Sequence, residues 1–108
     1  MNWQQVLEQL ERGEVRSVNK DENGVWQANV EVKQAILASF KAGENIDYDG
    51  AYVGFVDKNN LAPRQFSVQD NVRLVPGGSS VRCGAYVAPG VIIMPPAYIN
   101  IGAYVDSG

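Results

Sequence analysis

The sequence predicts an α+β cap at the N-terminus, followed by the first coils of a left-handed parallel β-helix. The main observation is that valine or isoleucine recurs at every sixth position of the last third of the chain. These positions are Val75, Val81, Val87, Ile93, Ile99 and Val105. A period of six fits neither an α-helix nor a plain two-sided strand. It is typical of hexapeptide repeats, in which each repeat supplies one short strand and one turn.

Two further columns of residues share this period. Three residues after each aliphatic residue come Gly78, Gly84, Gly90, Pro96, Gly102 and Gly108. Small or β-branched residues follow one position later, at Ser79, Ala85, Val91, Ala97 and Ala103. We expect the aliphatic side chain to point into a narrow core and the small residue to fit a corner. The glycine then takes a turn conformation that a Cβ atom would obstruct.

The N-terminal part begins with a predicted helix over residues 2–12. Asn2 is a suitable N-cap and Gly13 a suitable end. The apolar residues at helical spacing are Trp3, Val6, Leu7 and Leu10. After this helix, residues 14–19 and 25–27 predict a hairpin around a polar turn. We expect Trp3 and Trp26 to pack the cap onto its own hairpin.

A second helix is predicted from about Val30 to Phe40, capped by Asn29 and ended by Gly43. One face of this helix carries Val32, Ala35, Ile36 and Phe40. Residues 44–71 are rich in Asn, Asp and Gly and are expected to form an irregular connector. The predicted organisation is therefore a cap and connector over residues 1–71 and the start of the repeats over residues 72–108.

Composition excludes several classes of function. A chain of 108 residues is at most one ordinary domain. Its net charge of −3 and its lack of a basic run argue against a nucleic-acid partner. No apolar stretch approaches the roughly 18 residues of a membrane span, and no secretory signal is evident. With one cysteine, Cys83, the chain fits a reducing cytoplasm, and we expect this thiol to be a buried or half-buried bystander and not a nucleophile.

The chain contains no histidine. Within this stretch, that excludes a histidine base, Ser–His and Cys–His nucleophiles and most zinc sites. The carboxylates Asp47, Asp49 and Asp57 lack the spacing of a calcium loop and are expected to be solvated turn residues. No metal site and no bound cofactor are predicted.

The repeats span five hexapeptides and most of a sixth. In left-handed hexapeptide helices three hexapeptides make one triangular coil, so fewer than two coils are present. Such a solenoid is stable only when its coils stack, and the last coil would expose an unpaired strand edge. We therefore expect the sequence to be the N-terminal piece of a longer protein.

Several stretches resemble the tetrahydrodipicolinate N-succinyltransferase family. The similarity is moderate over residues 31–40 and strong from Val72-Arg73-Leu74-Val75-Pro76 onward. The most specific stretches are Val81-Arg82-Cys83-Gly84-Ala85-Tyr86 and residues 94–106, which read MPPAYINIGAYVD. The resemblance implies a homotrimeric, cytoplasmic enzyme of lysine and diaminopimelate synthesis. Such an enzyme moves a succinyl group from succinyl-CoA, its co-substrate, to the amine of a small ring-opened dicarboxylate, in sites between neighbouring subunits.

The resemblance assigns one site residue within this chain. Arg73 matches the family's substrate-binding arginine, and a guanidinium can grip a carboxylate with two parallel hydrogen bonds. The family's catalytic aspartate and glutamate match positions beyond Gly108. We therefore assign no catalytic residue here and expect the isolated chain to be inactive.

Three other polar residues of the repeats are considered as possible site residues. Arg82 occupies a variable slot and is expected to lie on a solvated face. Asp106 is expected to have a structural role in its turn. Asn100, one repeat earlier, either ladders with Asp106 or faces the substrate cleft, and both readings remain open.

The sequence is also compatible with two alternative functions. The first is a non-catalytic hexapeptide module used for trimerisation or as an adaptor. The second is another hexapeptide acyltransferase, acting on a sugar nucleotide or an amino acid, which should use a histidine base in later coils.

Overall fold

The computed structural model describes residues 2–108. It contains two α-helices, α1 (Trp3–Glu11) and α2 (Val30–Ala42). The strands of the N-terminal part are β1 (Val18–Lys20), β2 (Trp26–Ala28), β3 (Asn45–Asp47) and β4 (Val56–Lys58). The strands of the repeats are β5 (Arg73–Leu74), β6 (Ser80–Val81), β7 (Tyr86–Val87), β8 (Ile92–Ile93), β9 (Tyr98–Ile99) and β10 (Tyr104–Val105). Short 3-10 turns span Gly50–Tyr52 and Val68–Asp70. Neither α-helix is both long and apolar enough to cross a membrane.

Both helices begin where their capping residues predict. The Asn2 side chain accepts a hydrogen bond of 2.8 Å from the backbone N–H of Gln4. The Asn29 side chain does the same for Val32 at 3.3 Å. These contacts satisfy N–H groups that have no partner within a helix. Helix α2 runs two residues past its predicted end and stops before Gly43.

The two helices pack against each other through the predicted apolar faces. Val6 and Leu10 of α1 form one buried cluster with Val32 and Ala35 of α2. Trp3 is half-buried against this cluster of the two helices, and not in the predicted contact between the cap and its hairpin strands. The cap therefore has an apolar core of its own.

The predicted hairpin is present, but its first strand begins at Val18 and not at residue 14. Val18 pairs with Ala28 in an antiparallel register. Ser17, just before this strand, is anchored instead to the repeats, since its hydroxyl donates to the carbonyl of Gly102 at 2.7 Å. The role predicted for Trp26 is wrong, because 52% of this residue is exposed. Its ring lies 5.6 Å from the guanidinium of Arg16, on the surface of the hairpin.

Residues 44–71 are more regular than predicted. Strands β3 and β4 form an antiparallel ribbon in which Asn45 pairs with Lys58 and Asp47 with Val56. Each strand has only three residues, and β3 is exposed throughout. A polar, three-residue strand lacks the apolar alternation by which strands are recognised in a sequence.

The repeat strands form three parallel pairs. Strand β5 pairs with β8, β6 with β9 and β7 with β10. Ser80 lies opposite Tyr98 and Tyr86 opposite Tyr104, so these partners are 18 residues apart. In the first pair, Arg73 lies opposite Ile92, one residue further along. Each strand thus pairs with the strand that follows three hexapeptides later.

Five members of the aliphatic column, from Val81 to Val105, lie in or against the core of the repeats. The prediction is wrong for Val75, because Leu74 lies opposite Ile93 and takes the inward position, while Val75 lines an outer cleft. Val81, Val87 and Ile93 are buried, and the other three members of the column are half-buried. The glycine column takes the predicted turn conformation, for example at Gly84, where φ is +84°. A Cβ atom on this glycine would lie 2.9 Å from Cγ1 of Ile101, so the position requires glycine on steric grounds as well.

The cap and the repeats share a buried contact. Leu61 is 0% exposed and lies in a cluster with Leu7 of α1 and Ile101 of the repeats. Nearby, the Glu11 carboxylate accepts a hydrogen bond of 3.1 Å from the backbone N–H of Gly84. Apolar packing and a charge-assisted hydrogen bond therefore fix α1 against the repeats.

Candidate functional site

Arg73 projects outward from the first repeat strand. Val72 before it is buried, and Leu74 after it packs against the core of the repeats. Because side chains alternate along a strand, Arg73 faces the opposite way and is exposed. Its backbone N–H donates to the carbonyl of Val91 at 3.0 Å, which fixes the start of the side chain. Within residues 2–108, the guanidinium has no ion-pair partner.

An open cleft of about 660 Å³ lies beside Arg73. Its walls come from the segment before β5 and from β5 itself: Phe66, Ser67, Val68, Asn71, Val72, Arg73, Leu74, Val75 and Pro76. Arg73 is the only charged residue among these. A cleft with mostly apolar walls and one unpaired guanidinium suits a small ligand that carries a carboxylate.

Local hydrogen bonds shape the wall of this cleft. The Asp70 carboxylate accepts from the backbone N–H of Ser67 at 2.8 Å, which closes a short 3-10 turn. Asn71 then takes a left-handed conformation with φ of +53°. Its carbonyl accepts from the backbone N–H of Gly90 at 2.6 Å, which ties the turn to the repeats. Arg73 is therefore presented by a segment that is fixed at both ends.

The prediction for Arg82 is wrong. Only 12% of its side chain is exposed, and its guanidinium forms an ion pair with Asp57 of β4. The guanidinium also lies 5.2 Å from the ring centre of Phe40. The slot that Arg82 occupies does point outward from the repeats. Here, however, the cap covers that face, since Pro63 forms a β-bridge with Arg82.

The three acidic residues of the connector differ in their exposure to solvent. Asp47 and Asp49 are exposed, as predicted. Asp57 is half-buried through its contact with Arg82 and so is not a solvated turn residue.

Asn100 and Asp106 take part in local turns. The Asn100 side-chain oxygen accepts from the backbone N–H of Ile101 at 2.9 Å, and Asp106 accepts from Ser107 at 2.8 Å. Because stacked repeat residues are 18 apart, Asn100 lies level with Arg82 and not with Asp106. The structure therefore excludes a ladder between Asn100 and Asp106.

Cys83 is half-buried, as predicted, and its sulfur lies 3.9 Å from the carbonyl oxygen of Asn60. Burial raises the pKa of the Cys83 thiol above its ordinary value. The thiolate is the nucleophile, so a raised pKa leaves a smaller reactive fraction near neutral pH.

We expect Cys83 to react slowly with a thiol reagent in the native protein. At pH 7.5 the labelling rate should be lower than in denaturant, and it should keep rising with pH beyond the range in which an unfolded cysteine levels off. Stopped-flow labelling from pH 7 to pH 10 checks this. Equal native and unfolded rates at pH 7.5 would contradict the burial of this thiol.

A second cleft, of about 450 Å³, lies between the β3–β4 ribbon and the repeats. Its lining includes Arg82 and Asp57 together with Tyr48, Tyr52 and Phe55. Sequence reasoning missed this cleft. The one available signal was the density of aromatic residues between positions 48 and 55, next to Asp57.

Comparisons with known proteins show similarity to the N-terminal part of succinyltransferases. Residues 3–42 match the family described as "Tetrahydrodipicolinate N-succinyltransferase N-terminal". Three relatives bear the name 2,3,4,5-tetrahydropyridine-2,6-dicarboxylate N-succinyltransferase. The protein of Histophilus somni strain 2336 is 36% identical over 103 residues, which is 92% of this chain and 37% of that protein. The protein of Nitrosococcus oceani is 43% identical over 96 residues, covering 84% of this chain and 34% of that protein.

The third relative, from Legionella pneumophila strain Corby, is 41% identical over 104 residues, which is 92% of this chain and 36% of that protein. The chain thus spans little more than a third of the length of the relatives that it matches. The similarity extends from the cap through most of the repeats.

Proposed function

We propose, from the match of this chain to the N-terminal portion of the tetrahydrodipicolinate N-succinyltransferases, that it supplies that portion of such an enzyme. The reaction is the transfer of a succinyl group from succinyl-CoA to tetrahydrodipicolinate, in lysine and diaminopimelate synthesis. The observation that carries this proposal is the exposed Arg73 in its cleft, which has no ion-pair partner among residues 2–108, within a sequence that is 36% to 43% identical to succinyltransferases.

The repeats are, in this proposal, the first coils of a left-handed parallel β-helix over residues 72–108, preceded by the cap and connector over residues 1–71. Three parallel strand pairs with partners 18 or 19 residues apart support this reading, because three hexapeptides make one triangular coil. The aliphatic positions from Val81 to Val105, together with Leu74, supply the inner seam of that coil.

Arg73 binds a carboxylate of the dicarboxylate substrate through paired, charge-assisted hydrogen bonds. Its strand position fixes the Cα atom, and its exposure leaves the guanidinium open to a ligand. Its cleft is open to solvent and so could form one wall of a site between neighbouring subunits of a cytoplasmic homotrimer.

The chemical step is direct attack of the substrate amine on the thioester carbonyl of succinyl-CoA. The amide C–N bond forms and the thioester C–S bond breaks, so that CoA leaves as a thiolate and takes up a proton. The amine must lose a proton to a base, and the developing oxyanion is stabilised by hydrogen-bond donors. No residue of this chain is assigned to either task, and the chain binds no cofactor of its own in this mechanism. The isolated chain is accordingly inactive, and turnover above that of an Arg73→Ala variant would contradict this.

A chimera tests the proposal. Residues 1–108 replace the matching N-terminal segment of the Legionella pneumophila relative, which supplies the rest of the chain. We expect succinyltransferase activity within about tenfold of the parent, since a tenfold change corresponds to about 1.4 kcal/mol of lost transition-state stabilisation. A chimera that folds and assembles like its parent but transfers no succinyl group would favour the non-catalytic module instead.

A further inference from the structure

The cleft between the β3–β4 ribbon and the repeats has the features of a binding site for a small molecule. Its volume of about 450 Å³ falls within the usual range of ligand pockets, roughly 300–1,000 Å³. It is distinct from the cleft beside Arg73, and the two share no lining residue.

Two opposite charges meet in this cleft. Arg82 and Asp57 form an ion pair, and 34% of the Asp57 side chain remains exposed. The pair uses Nη2 of Arg82 and Oδ2 of Asp57. Within residues 2–108, the other guanidinium nitrogens of Arg82 and the Oδ1 atom of Asp57 have no hydrogen-bond partner. Donors and an acceptor are therefore available side by side.

The guanidinium of Arg82 is held in place before any ligand arrives. Phe40 lies 5.2 Å from it, and Asp57 holds its edge. The neighbouring Ser79 adds a hydroxyl, which already accepts from the backbone N–H of Ala97 at 3.0 Å and so keeps its own proton to donate. A prearranged polar group loses little conformational freedom when it binds a ligand.

The opposite wall of the cleft is aromatic. The ring centres of Tyr48 and Tyr52 are 6.1 Å apart, and those of Tyr52 and Phe55 are 6.5 Å apart. Phe55 is 63% exposed, and Tyr98 across the cleft is 58% exposed. Exposed aromatic side chains that line a cleft provide apolar contact area for a ligand.

We propose that this cleft binds a free α-amino acid with an aromatic or large apolar side chain. A simple anion or cation gains little here, because Arg82 and Asp57 neutralise each other's charge. An α-amino acid carries its ammonium and carboxylate on one carbon framework, so it presents its carboxylate to Arg82 and its ammonium to Asp57 together. Its side chain then lies against Tyr52 and Phe55. This proposal does not depend on the succinyltransferase reaction.

Binding is tested by NMR titration of the chain with three matched probes. L-phenylalanine carries both charges, 3-phenylpropanoate lacks the ammonium, and phenethylamine lacks the carboxylate. We expect L-phenylalanine to shift the amide signals of the cleft residues and to bind at least about tenfold more tightly than either other probe, because each other probe leaves Arg82 or Asp57 without a charged partner on the ligand.

Two variants and a control locate the site. Asp57→Asn should reduce the preference for L-phenylalanine over 3-phenylpropanoate. Phe55→Ala, at an exposed position, should weaken L-phenylalanine binding several-fold while leaving the fold intact. Val68→Ala, at a residue that is 95% exposed and outside this cleft, should leave binding unchanged.

Three results would overturn the proposal. They are equal affinity for L-phenylalanine and 3-phenylpropanoate, signal shifts confined to residues outside the cleft, and no shift with L-phenylalanine up to about 10 mM, a concentration that would detect millimolar binding. None of these results would affect the chimera test, so failure here is distinguishable from failure of the proposed transferase.

Discussion

The Arg73→Ala substitution in the chimeric transferase is expected to lower kcat/KM for the dicarboxylate substrate by at least about 100-fold. Charge-assisted hydrogen bonds to a carboxylate are worth about 1.5–3 kcal/mol each, so a pair is worth about 3 kcal/mol or more, and about 2.7 kcal/mol already corresponds to roughly 100-fold. The stability of the fold should change little, because the side chain is exposed and has no ion pair within residues 2–108. Steady-state kinetics, with thermal unfolding of the same samples, measures both effects.

Two further variants complete this experiment, one at Arg73 itself and one at a control arginine. Arg73→Lys keeps the charge but loses the bidentate geometry, so it should recover only part of the lost activity. Arg12→Ala removes an arginine whose side chain is 56% exposed and pairs with Glu14 on the surface, and it should leave kcat/KM within about twofold. Wild-type kinetics for a folded Arg73→Ala chimera would contradict the assignment of Arg73.

Leu61→Ala is expected to lower the free energy of unfolding by about 2–5 kcal/mol, the usual cost of removing a buried leucine side chain. Leu61 is 0% exposed and contacts both Leu7 of α1 and Ile101 of the repeats. The cavity would therefore open between the two parts of the chain. Urea denaturation followed by far-UV circular dichroism measures the change.

The control is a second leucine. Leu37 lies on α2 and is 58% exposed, so Leu37→Ala should change the free energy of unfolding by less than about 0.5 kcal/mol. If both leucine variants lower the free energy of unfolding equally, Leu61 is not buried between the cap and the repeats.

The elements that were predicted correctly are those with local signals. Asn2 and Asn29 cap the two helices because their side chains reach N–H groups only two or three residues away. The hexapeptide spacing is also a local pattern, and the buried Val81 and Val87 follow from it. Such signals do not depend on what lies elsewhere in the fold.

The errors concern side chains whose surroundings come from distant parts of the chain. Arg82 was expected on a solvated face because its slot in the repeat is variable, but Asp57, 25 residues earlier, lies against it. Trp26 was expected to be packed because it lies on an apolar-patterned segment, whereas it lies at the surface near Arg16. The pattern of neighbouring residues in the sequence does not predict these contacts.

Part of the candidate site was predictable, because Arg73 lies within a local sequence pattern. Arg73 could be identified because the residues around it resemble those of the succinyltransferases. Its exposure follows from the alternation of side chains along the strand, since Val72 and Leu74 point to the core. Its cleft could not be predicted, because the walls depend on the 3-10 turn after Ser67 and on the hydrogen bond that ties Asn71 to Gly90.

The stacking of the repeats three hexapeptides apart is the claim on which the account depends, and NMR tests it directly. Short interproton distances are expected between Ser80 and Tyr98 and between Tyr86 and Tyr104, whose strands are paired in parallel. The amide proton of Tyr86 should also be protected from exchange by its hydrogen bond of 2.9 Å to the carbonyl of Ala103. Contacts that instead join neighbouring hexapeptides, or that follow the spacing of an α-helix, would contradict the proposed coil and with it the proposed transferase.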